Sequence, residues 1–87
     1  MMLEKGKLYS LNPIKPTPWN YCFLFNSELS TKAYGGITGV LHFNKDIFVL
    51  LEYKKNRKYT IVKLLQTNGK IGYLEVDERI FEFKKES

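Results

Sequence analysis

The stretch LLQTNGKIGYLEVDERIFEF, Leu64–Phe83, decides the fold class. Two runs rich in β-branched and aromatic residues, Tyr59–Gln66 and Ile71–Val76, flank Asn68-Gly69. That dipeptide accepts the positive φ angles of a type I′ turn, so a β-hairpin with a two-residue turn is expected. Gly72 inside the second run marks a bulge or a close approach of another backbone. Leu74 alternates with Tyr73, which puts one inside and one outside. Asp77-Glu78-Arg79 then makes a tight turn before a last short strand, Ile80–Phe83.

The same signals continue toward the N-terminus. No segment of helical length carries a 3.6-residue apolar period with caps. Lys7–Leu11, Asn20–Phe25, Ile37–Phe43 and Ile47–Tyr53 read as strands separated by turn residues. All three prolines fall in Asn12–Pro18, an extended loop, because proline donates to no ladder and keeps its predecessor out of the helix. Asn26–Gly36 reads as a loop closed by a glycine pair, and Lys54–Lys58 as a polar connector. About six or seven short strands at roughly 8–12-residue spacing suggest an all-β small barrel or sandwich. The expected inward set is Leu8, Val40, Ile47, Val49, Ile61 and Leu74.

Length and composition fit one small domain over residues 1–87. A hydrophobic content of 44% suffices for a core and argues against disorder. Cys22 is the single cysteine, which excludes an intrachain disulfide and a cysteine-based zinc site. Neither a signal-type apolar segment nor a run of membrane-spanning length is present, so a cytoplasmic protein without membrane contact is expected. The net charge of +5 comes mainly from lysine, which favours solubility and loose attraction to polyanions over specific phosphate readout.

From Leu41 onward the chain resembles the Src-homology-3-like barrel. Leu41-His42-Phe43 matches that family's leucine-x-phenylalanine step, Asn44-Lys45-Asp46 its diverging turn, and Ile47, Val49 and Leu51 the alternating strand after it. Gly72-Tyr73-Leu74 matches the closing glycine-tyrosine-aliphatic step, followed by a short helical turn over Val76–Arg79. Lys7–Leu11 resembles the family's first strand, with Tyr9 at its leading tyrosine. The resemblance implies an all-β barrel of about five strands, with an extra hairpin or strand from Asn20–Phe25 and Ile37–Phe43 inserted in its long first loop (residues 12–42). In peptide-binding members, proline-rich ligands lie on an aromatic groove beside an acidic loop. Of that groove the resemblance leaves only Tyr9: Leu11 replaces the second tyrosine, no tryptophan pair stands near Tyr59-Thr60, Glu75 replaces a proline, and the turn tyrosine falls near Ile80. The loop that should be acidic carries Lys15, Lys32 and only Glu28. A proline-rich peptide is therefore not an expected ligand.

Enzyme chemistry needs converging polar groups, and the sequence offers few. His42 is the single histidine, expected on the solvent side of a strand. Cys22 is expected to be a buried structural thiol, and Asp77 and Glu78 to cap a turn. Neither catalysis nor a metal or cofactor is expected. Two binding surfaces remain. The 34 positions from Tyr9 to Phe43 exceed the corresponding family loop and contain Trp19, Tyr21, Phe23 and Phe25, the residues expected to contact a protein partner or a second copy. The alternative is non-specific nucleic-acid binding through Lys54, Lys55, Arg57, Lys58 and Lys70, cations interleaved with Tyr53 and Tyr59.

Overall fold

In the computed structural model, which describes residues 3–28 and 36–86, seven strands follow one another along the chain. They are β1 (Leu8–Pro13), β2 (Tyr21–Phe25), β3 (Ile37–His42), β4 (Ile47–Lys55), β5 (Thr60–Gln66), β6 (Ile71–Val76) and β7 (Phe81–Lys85). All pairings are antiparallel, and the sheet curls into a half-barrel with the order β3-β2-β6-β5-β4-β1-β7. The hairpin expected between Asn20 and Phe43 forms, as β2 and β3, and it joins the sheet where Phe25 pairs with Tyr73. At one end the two sheet edges approach each other: the Phe43 and Phe81 rings lie 5.0 Å apart, and Asn44 N–H donates to Leu11 C=O at 3.2 Å. Residues 29–35 of the expected Asn26–Gly36 loop lie outside the described residues.

Alternation assigns the faces. The concave face buries Tyr9 and Leu11 of β1, Phe48 and Leu50 of β4, Val62 and Leu64 of β5, Leu74 and Val76 of β6, with Leu24, Leu41, Phe43 and Phe83 closing the core. Of the expected inward set only Leu74 belongs to this cluster. Leu8, Val40 and Val49 are half-buried, Ile47 is exposed, and Ile61 is buried on the opposite face beside Lys63 and Tyr73. The error is one of phase. In Ile47–Tyr53 both alternations are apolar, so period two does not say which faces inward. Packing chooses the bulkier pair, Phe48 and Leu50, and Phe48 stacks on Tyr9 at 6.5 Å. A register shift between Leu50 and Glu52 then lets β4 bend from β1 toward β5.

Tyr9 is accordingly no groove residue. It is wholly buried, edge-on to Phe83 at 6.3 Å, and its hydroxyl accepts the Glu4 backbone N–H at 2.8 Å. One turn expectation also changes. Among the described non-glycine residues only Asn44 has positive φ, so Asn68 does not, and the β5–β6 turn is not type I′. Gly69 alone adopts the left-handed conformation (φ 85°); its N–H donates to Gln66 C=O, and Gln66 N–H to Lys70 C=O. This is the three-residue loop with a glycine bulge, and the Asn68 carboxamide serves it by accepting Lys70 N–H at 2.9 Å. After β6 the chain makes the expected tight turn, with Ile80 N–H and Phe81 N–H both donating to Asp77 C=O at 3.0 Å, the bonding of a single helical turn.

Gly72 does mark a close approach. A Cβ there would sit 3.0 Å from the Leu24 Cβ, so the missing side chain is what admits β2 against β6. This seats the aromatic hairpin against the rest of the sheet.

Candidate interaction face

Leu24, wholly buried, fixes the facing of β2, and the residues on either side of it follow by the two-residue period. Cys22 turns inward, and Tyr21, Phe23 and Phe25 turn outward. Before the strand, Thr17 Oγ1 donates to Trp19 C=O at 2.6 Å, a local turn that ends the proline-containing segment and delivers the indole to the same side. Three of the aromatics then form a row: Trp19 meets Tyr21 edge-on at 6.5 Å, and Tyr21 meets Phe23 edge-on at 5.7 Å. Phe25 is the backbone pairing partner of Tyr73 in β6, and Lys63 Nζ sits 6.0 Å above the Tyr73 ring. Trp19 is 65% exposed and Phe23 45%, whereas Tyr21 and Phe25 are half-buried.

The sequence reading missed three members of this face. Val40 opposes Phe23 and His42 opposes Tyr21 across the β2–β3 ladder, with the imidazole 6.2 Å from the Tyr21 ring; Tyr73 is the third. Pairing register, which a sequence does not print, is what recruits them. A cleft of about 290 Å³ adjoins the row beyond Tyr73, lined by Lys5, Lys54 and Lys63 with Glu28 and Glu52. The face thus has an apolar centre and a rim of mixed charge.

His42 has an acid partner that the sequence did not reveal. Its Nδ1 lies 3.0 Å from Asp46 Oδ2, the same oxygen accepts its backbone N–H at 2.8 Å, and Asp46 N–H donates to its C=O. Slight burial pushes the Asp46 carboxyl up, but the His42 backbone and ring contacts outweigh it and leave the pKa lowered. The cluster closes the β3–β4 turn. It also occupies the outward backbone groups of His42 at the free edge of β3, and the register shift near Leu24 and Phe25 interrupts that edge farther along. Interrupted edges resist strand addition. Cys22 is pushed up to about 12 by burial, which keeps its thiol protonated. Among the described residues no group of three or more histidine, cysteine or acidic side chains is placed to hold a metal, and no helix is long and apolar enough to cross a membrane.

The cations of the alternative site are dispersed. Lys54 and Lys55 belong to β4; Lys54 pairs with Glu28 at 3.3 Å and Lys55 with Glu78 at 3.8 Å. Lys70 lies at the far end of the β5–β6 hairpin, about 20 Å from the connector at ~3.3 Å per residue. Arg57 and Lys58 stay exposed in the connector, where Asn56 N–H donates to Tyr59 C=O. Their neighbour is Arg79, from the turn after β6. Compared with protein-family models, curated proteins and solved structures, the chain matches none of them.

Proposed function

We propose that this chain is a non-enzymatic interaction domain, a Src-homology-3-like barrel that self-associates through the outer aromatic face of β2 and β3. The fold part of the reading is supported by connectivity. β1, β4, β5, β6 and β7 are the five barrel strands, a tight turn joins the last two, and the aromatic hairpin is inserted between the first two. The functional part rests on one observation: the sole tryptophan and Phe23 stand exposed in a ring-to-ring row through Tyr21 on the outer face. Aromatic side chains concentrate binding energy when such a face is covered.

A second copy suits this face because its rim carries both signs. Lys5, Lys54 and Lys63 stand beside Glu28 and Glu52, and a two-fold contact sets the cations of one copy near the acids of the other. The test is the double variant Trp19→Ala with Phe23→Ser, compared with wild type by sedimentation and thermal melting. Both side chains are exposed, so folding stability should change by about 0.5 kcal/mol or less while association is lost. An unchanged association state sinks the proposal.

A further inference from the structure

The chain has two arginines, Arg57 in the β4–β5 connector and Arg79 in the β6–β7 turn, and both line one hollow of about 120 Å³ with Asn56, Lys58, Tyr59 and Glu78. The acids near it are already engaged. Asp77 binds Arg79 in a two-point contact, Oδ1 to Nε at 3.0 Å and Oδ2 to Nη2 at 2.8 Å. Glu78 accepts the Thr60 hydroxyl at 2.6 Å and lies 3.8 Å from Lys55 Nζ. With Asp77 set against Arg79 and Glu78 against Lys55, Arg57 and Lys58 remain as surplus positive charge, for among the described residues neither has an ion-pair partner.

We infer that this hollow binds the phosphate backbone of a single-stranded nucleic acid, independently of the aromatic face. Arginine forks match phosphate oxygens, and among the described residues the Arg57 fork has no ion-pair partner, whereas Asp77 occupies the Nε–Nη2 edge of Arg79. Tyr59 supplies a half-buried ring beside the cations, the pairing of charge and stacking surface on which unpaired bases bind. A duplex keeps its bases stacked and offers that ring nothing. This reading sets Lys54, Lys55 and Lys70 aside in favour of Arg57 and Lys58, and so makes a different prediction from diffuse attraction to a basic protein.

The experiment is fluorescence anisotropy with a labelled oligothymidylate at low salt, using wild type, Arg57→Gln, Lys58→Gln and Lys70→Gln. Lys70→Gln removes the same charge at the other end of the hairpin. Arg57→Gln and Lys58→Gln should each weaken binding severalfold, and Lys70→Gln should leave it within twofold. For two or three phosphates contacted, raising salt fourfold should reduce affinity roughly 7- to 20-fold in wild type. Equal losses in all three variants, absent binding by wild type, or equal binding of duplex would each overturn the proposal. So would displacement of the oligonucleotide by an equal concentration of inorganic phosphate, which would assign the hollow to free anions.

Discussion

The phenol of Tyr9 stands among Phe48, Phe83 and the Glu4 backbone, and this placement governs what its replacement does. Tyr9→Ala should cost about 3–5 kcal/mol, in the range for emptying a buried aromatic site. Tyr9→Phe should cost ~1 kcal/mol for the lost hydrogen bond. Urea denaturation of both variants separates packing from the hydroxyl, and a near-neutral Tyr9→Ala would contradict the assignment to the core. Gly72 is the complementary case, a site where an added atom does harm. Its new Cβ would press on the Leu24 Cβ at 3.0 Å, so Gly72→Ala should destabilise by about 1–3 kcal/mol as an overpacked site. Cys22, its thiol raised to about 12 by burial, should resist a thiol reagent at neutral pH until denaturant exposes it. Rapid labelling of the native protein would show that β2 does not cover it.

Among the elements, the turn after β6 offers a pH test. The Arg79 side chain, and then its backbone N–H, hold the Asp77 carboxyl down from 3.8 to about 2. A depressed folded-state pKa stabilises above the unfolded value, and the contribution fades as pH falls through the folded one. Asp77→Asn should therefore melt below wild type at neutral pH, and the gap should close as pH falls toward 2. A gap that is constant with pH would deny the Asp77–Arg79 contact any part in folding. The elements also explain which features were legible. Asn68-Gly69 announced a hairpin, and Gly72 announced a close approach, because each depends on a local conformational need. The turn type and the facing of β4 were not legible. In the first, Gly69 meets the need without Asn68; in the second, an apolar run on both alternations leaves the choice to tertiary packing.

Across the whole molecule, the aromatic surface was legible as composition, since Trp19, Tyr21, Phe23 and Phe25 sit close together in sequence and alternate. What assembles around them depends on pairing between distant strands: Val40, His42 and Tyr73 join the face, Arg79 joins Arg57, and Lys70 is carried away. One curled sheet thereby separates two surfaces, an aromatic face with mixed charge at its rim and a basic hollow holding both arginines. The first of these carries the proposed self-association, and the chain contains its own reporter. Trp19 is the single tryptophan and is 65% exposed, so its emission reports directly on covering of that face. The decisive measurement is the Trp19 emission maximum across a concentration series from micromolar to millimolar, with sedimentation of the same samples. Self-association through this face predicts a blue shift that rises in step with the associated fraction. A monomer whose emission stays at the solvent-exposed position throughout, or an oligomer that forms without any shift, would contradict it.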